Sequence, residues 1–122
     1  MLGYGIQGRA QAHNLRDGGF EVTVGNRPDG YAEQARQDGF SVLGIREAAE
    51  GATLAILLLP DEIHAALELP LQPGAGLVVA HGFSVRYGLL PVSLGVDLML
   101  LAPRMPGKYV RERFLAGWGV PA

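Results

Sequence analysis

Three glycines near the start of the chain, Gly3, Gly5 and Gly8 in MLGYGIQGRAQAHNLRDGG, have the G-x-G-x-x-G spacing that can cradle a pyrophosphate. At such a site the first glycine turns the chain from strand to helix. The second lets phosphates approach the backbone, and the third permits close helix–strand packing. The helix that follows presents unpaired N–H groups and the positive end of its dipole. Tyr4, Ile6 and Gln7 fill the turn and fall beside the same ligand. Only Met1 and Leu2 precede Gly3, where a full buried strand normally leads in.

A ribose reader belongs at the end of the next strand. A carboxylate there favours a free 2′-hydroxyl, while arginine favours a 2′-phosphate. The chain has GNRPDG at that point. Arg27 either contacts phosphate or adenine, or is a solvated loop arginine. Asp29 sits in Pro28-Asp29-Gly30, an ordinary turn sequence. Further on, His81 follows the apolar run LVVA and precedes Gly82. It either reaches a ligand at the sheet edge and exchanges protons near neutral pH, or bonds to nearby backbone. His13 and His64 lie in helical patterns and read as surface or packing residues.

These residues need a scaffold, and the pattern supplies one. Helices are predicted over Ile6–Asp17, Tyr31–Asp38, Ile45–Glu50, Asp61–Leu69 and Lys108–Leu115, with Asp61 able to cap its own helix. Strands are predicted over Glu21–Val24, Phe40–Val42, Leu54–Leu59, Leu77–Ala80 and Asp97–Ala102, and Val120–Ala122 reads as the start of another. Leu54–Leu59 is apolar at all six positions, which suits a strand covered on both faces. The last two full strands also read as buried. Alternation of strand and helix predicts an α/β fold with an open, mainly parallel sheet between two helical layers.

Composition bounds the function. A chain of 122 residues is predicted to form one domain over residues 1–122. It is 48% hydrophobic with a formal net charge of -2, so nothing draws it to nucleic acid or an anionic membrane. It has no cysteine, which excludes disulfides, thiolate nucleophiles and cysteine-bound zinc. Its longest apolar run, Ala52 to Pro60, is far shorter than the about 20 residues that span a bilayer. A cytoplasmic location is expected.

Taken together, GYGIQGRAQAHNLRDGG, VGNRP, LLLPDEIH, AHGFSVRYG and APRMPGKYVRERFLAGWGVPA fall in an order that resembles the N-terminal domain of ketol-acid reductoisomerase. The resemblance covers essentially the whole chain and implies a Rossmann-like αβα domain with a shortened first strand. It implies NADP, or less often NAD, as cofactor. The family uses Mg2+ to isomerise a 2-acetohydroxy acid and a hydride from NADPH to reduce it to a 2,3-dihydroxy acid, in branched-chain amino-acid biosynthesis. On that mapping Gly3, Gly5 and Gly8 hold the pyrophosphate and Arg27 lies at the adenosine end. Leu59, Pro60 and Asp61 meet the cofactor beyond a strand end, and Gly82 follows the active-site position, His81.

Two departures bear on activity. Arg104, in PRMPG, stands at a catalytic position where the family has lysine, and arginine holds its proton far more tightly. It either binds an anionic oxygen of substrate or has a structural role. The family's magnesium ligands come from a helical C-terminal domain that has no counterpart in this sequence. Glu47, Glu50, Asp61 and Glu62 do not form a metal-binding pattern and read as solvated surface, so no metal is expected on this chain alone. The short first strand is expected to loosen its neighbours. Exposed edges favour a homo-oligomer or a partner chain carrying the metal domain. A nucleotide-binding regulator without catalysis, or an interaction module with a decayed cofactor site, is the alternative.

Overall fold

The three residues Met1–Gly3 sit at the centre of the sheet. The computed structural model describes residues 1–122. Its helices are α1 (Ile6–Asp17), α2 (Gly30–Gln37), α3 (Ile45–Glu50), α4 (Phe83–Arg86) and α5 (Gly107–Leu115). Its strands are β1 (Thr23–Gly25), β2 (Ser41–Leu43), β3 (Leu54–Leu57), β4 (Gly76–Val79) and β5 (Asp97–Leu100). Every strand pairing is parallel, β1 with β2, β3 with β4 and β4 with β5. Leu2 bridges in parallel to Gly25 on one side and Leu57 on the other, which joins the two ladders. The order across the sheet is therefore β2, β1, Leu2, β3, β4, β5.

The short central strand does not leave its neighbours unpaired. Alternate peptide groups of a strand face opposite neighbours, so three residues can bond both ways. Gly25 N donates to Met1 O (2.8 Å) and Gly3 N to Gly25 O (2.9 Å) on the β1 side. On the β3 side Leu2 N donates to Ile56 O and Leu58 N to Leu2 O, both at 2.8 Å. Leu2 is buried in a core with Leu57, Leu77 and Val79.

Alanine and glycine let the helices come close. Ala48 and Ala49 of α3 join the Leu2 core, while Ala12 of α1 and Ala35 of α2 pack with Tyr4, Val24 and Phe40. A Cβ on Gly25 would lie 2.7 Å from both the Ala48 Cβ and Leu2 Cδ2, so α3 requires glycine there. Val24, next along the strand, points to the opposite face by strand alternation. Around β1 and Leu2 the sheet is thus covered on both sides, as in an αβα sandwich.

Four sequence expectations change. The helix predicted over Asp61–Leu69 is a 3-10 helix that ends at Ala66, and Leu67 is extended. Leu69 precedes Pro70, and a residue before proline is pushed out of the helical region. Asp61 does not cap that helix, because its carboxylate turns to Ser84 and His81. Strand β5 is exposed at all four residues, since α5 packs on α1 instead of covering it. No strand forms at Val120–Ala122, where Pro121 O accepts from Arg104 N. Helix α4 was not predicted.

Candidate functional site

The three glycines of the opening motif stand in different surroundings. Gly3 has φ +96°, and a Cβ there would lie 3.0 Å from Leu58 O and Leu59 Cδ2. Gly5 is the extended residue before α1, provides no side-chain cap, and has open space around it. At Gly8 a Cβ would run into the carbonyl oxygen of Gly3. The first-turn amides of α1, at Ile6, Gln7 and Gly8, have no acceptor within the helix and lie at its positive end. Nothing acidic stands in that first turn to occupy them. These amides are chemically suited to an anion.

Asn26 ties this turn to the loop that follows β1, and sequence reasoning missed it. It is buried, its Oδ1 accepts from Tyr4 N (3.1 Å), and its Nδ2 donates to Asp29 Oδ1 (2.9 Å). Asp29 in turn caps α2 by accepting from Tyr31 N and Ala32 N. Its other oxygen accepts from Arg27 Nε at 2.7 Å. That arginine, followed by the amides of Ala32 and Tyr31, holds the Asp29 carboxyl below the usual carboxylate range. The Arg27 side chain is 79% exposed, so its guanidinium stays open to an additional anion.

A cleft of about 830 Å³ opens here, lined by Tyr4, Gly5, Ile6, Arg27 and Asp29 together with Arg9, Tyr31, Lys108 and Arg111. Four cations face one carboxylate, which suits a polyanionic ligand. Helix α5 closes one side. Gly107 packs against the Ile6 carbonyl, and Gln7 Nε2 donates to Met105 O (2.7 Å). Arg111 holds α5 to α1 through Asn14 (2.9 Å) and Asp17 (2.5 Å).

The Tyr4 side chain supports the floor of the cleft. It is 1% exposed, and its hydroxyl donates to Asp38 Oδ2 at 2.8 Å. Asp38 also accepts from Arg9 Nε (2.8 Å), His13 Nε2 (3.2 Å) and Gln34 Nε2 (3.1 Å). Burial pushes the Asp38 carboxyl up, but these donors outweigh it and bring it from 3.8 to about 2. An Asp38→Asn variant should therefore be less stable at neutral pH by about 2 kcal/mol before screening at the half-exposed Arg9 reduces it. Folded Asp38 gives up its proton more readily than the unfolded chain does. The difference from wild type is present above 3.8 and vanishes as pH falls through about 2, which urea unfolding at several pH values would follow.

The other predicted residues continue along the same C-terminal edge of the sheet. Leu59, Pro60 and Asp61 follow β3, His81 and Gly82 follow β4, and Arg104 follows β5. Leu59 touches the glycine turn at Gly3, and Asp61 pairs with His81. Arg104 is exposed and makes no ion pair or hydrogen bond to His81 or Asp61. Of the surface and packing roles expected for His64, the structure shows packing: it is buried and donates from Nε2 to Leu59 O (3.0 Å). No group of three or more His, Asp or Glu is arranged so that it could hold a metal ion.

The family described as acetohydroxy acid isomeroreductase, NADPH-binding domain, matches residues 1–122. The chain belongs to this family. Ketol-acid reductoisomerases (NADP(+)) from Caldivirga maquilingensis and Pyrobaculum calidifontis are 43% and 48% identical across all of it, and one from Tremblaya princeps is 46% identical across 99%. The chain spans 38–39% of the length of these relatives. A solved NADH-preferring ketol-acid reductoisomerase from an uncultured archaeal source superimposes with a TM-score of 0.93 at 37% identity, over 98% of this chain and 40% of that one. A semialdehyde dehydrogenase NAD-binding protein from Cupriavidus necator shares the fold at TM-score 0.71 and 20% identity, over 84% of this chain and 40% of that one. The NADPH-binding domain of this reductoisomerase family is thus a Rossmann-like α/β unit here, and its glycine turn and cationic cleft have the donors a dinucleotide phosphate needs. No helix is long and apolar enough to cross a membrane.

Proposed function

We propose that residues 1–122 form one domain that binds NADP(H) along the C-terminal edge of the sheet and serves as the cofactor-binding part of a ketol-acid reductoisomerase. The observation that carries this reading is the Gly3–Gly8 turn, whose free α1 amides open beside a cleft lined by Arg9, Arg27, Lys108 and Arg111. The pyrophosphate rests on the amides of Ile6, Gln7 and Gly8, where the helix dipole adds to their hydrogen bonds. Arg27 takes the 2′-phosphate of NADP, because its guanidinium is exposed and already oriented by Asp29. The nicotinamide then lies toward Leu59, Pro60 and Gly82. His81 and Arg104 face the substrate, a 2-acetohydroxy acid, and bound NADPH supplies the hydride.

Arg104 binds an anionic oxygen in this reading and does not exchange protons. Mg2+ for the isomerisation is held by polypeptide outside these residues, in a second domain, a second copy or a partner chain, and the assembly works in the cytoplasm. Titration of the purified chain with NADPH, followed by nicotinamide fluorescence, tests the first step. Saturable binding that tightens at low salt supports the reading. No binding at millimolar NADPH or NADH would leave the fold without this function.

A further inference from the structure

His81 is not a free loop side chain. A carboxylate only accepts, so the contact between His81 Nδ1 and Asp61 Oδ2 places the ring proton on Nδ1. The imidazole is 71% exposed, and Nε2 has no partner in the protein. The Phe83 ring lies nearly parallel to it, with an interplanar angle of 8° and centroids 6.3 Å apart.

Asp61 is itself held from behind. Ser84 is fully buried, and its Oγ donates to Asp61 Oδ1 at 2.7 Å. The buried His64 ring lies beside the same oxygen, with Nδ1 at 3.3 Å, but makes no hydrogen bond to it. Since His64 Nε2 donates to Leu59 O, and Leu59 touches Gly3, this group is continuous with the glycine turn.

We propose that Asp61, anchored by Ser84, is a positioning residue for His81 that fixes the Nδ1–H tautomer and aims a bare Nε2 at the ligand side of the sheet edge. The inference rests on the reading of His81 as the histidine that meets substrate. It gives His81 a defined acceptor atom, as hydrogen bonding at one ring nitrogen decides the state of the other. Ser84 and Phe83 both belong to α4, so that one-turn helix following His81-Gly82 supplies the clamp.

Long-range ¹H–¹⁵N spectra of the imidazoles, recorded without cofactor, test this separately from NADPH binding. In the wild-type chain His81 should be predominantly the Nδ1–H tautomer. Asp61→Asn should lose that preference, Asp61→Glu should restore part of it, and Ser84→Ala should weaken it while Asp61 remains. A wild-type spectrum dominated by Nε2–H would overturn the proposal without any variant. So would an Asp61→Asn chain that stays folded and keeps the Nδ1–H preference. Should that variant not fold, an unaltered His81 tautomer in Ser84→Ala would count against the clamp.

Discussion

Gly8→Ala should reduce NADPH affinity by tenfold or more and lower the unfolding temperature by several degrees. The new methyl group would enter the space of the Gly3 carbonyl oxygen, and that oxygen belongs to backbone that cannot swing aside. Overpacking costs ~1–3 kcal/mol even where side chains can adjust. Here the displaced atoms are the glycine turn itself, so damage to packing is also damage to the site. Each 1.4 kcal/mol lost from binding is about tenfold in affinity. Gly5→Ala provides the contrast. No atom lies within 4 Å of a Cβ at that position, and its backbone is extended with φ -72°. That variant should melt with wild type yet bind NADPH more weakly, because its methyl group projects where the pyrophosphate must approach. Thermal unfolding and a cofactor titration on both variants separate the scaffold from the site. Equal stability and equal affinity in Gly8→Ala would mean that the turn does not have this tight contact.

Arg27→Ala should weaken NADPH by about tenfold to a hundredfold and leave NADH nearly unchanged. Hydrogen bonds to charged groups contribute about 1.5–3 kcal/mol, which sets that range. A second effect has the same sign. Asp29 is kept ionised by Arg27 and by the α2 amides it caps, so without Arg27 its carboxylate would face the 2′-phosphate uncompensated. NADH has no phosphate there and escapes both effects. The loss for NADPH should shrink as salt is raised, since the pair is solvent-exposed. Parallel losses for the two cofactors would place Arg27 outside the 2′-phosphate site.

Much of this was legible before any coordinates, for local reasons. Helices Ile6–Asp17 and Ile45–Glu50 form over the residues predicted for them. The parallel α/β arrangement followed from apolar runs alternating with helical patterns. Features that depend on distant chain were harder to see. An apolar run such as Leu98–Leu100 cannot tell which helix will cover it, and α5 goes to α1 instead. Two residues before a glycine look too few for a central strand until Gly25 and Leu57 are found on either side.

The site shows the same division. Spacing alone marked Gly3, Gly5 and Gly8, and a turn sequence marked Asp29. Asn26 was missed because its work is to join Asp29 to Tyr4, which is distant in the chain and meets it only in the folded structure. Asp61 looked like a helix cap because aspartate at the start of a helix often is one. A helix that is 3-10 and preceded by Pro60 leaves its carboxylate to Ser84 and His81. Neither partner is adjacent in sequence.

The most direct test is to follow the backbone amides of the labelled chain by NMR while NADPH is added. Binding at the C-terminal sheet edge predicts saturable shifts first at Ile6, Gln7 and Gly8, then at Arg27 and Asp29, and around Leu59 and Gly82. Shifts confined to the opposite edge, at Phe20, Glu47 and Thr53 where a second cavity opens, would contradict the account.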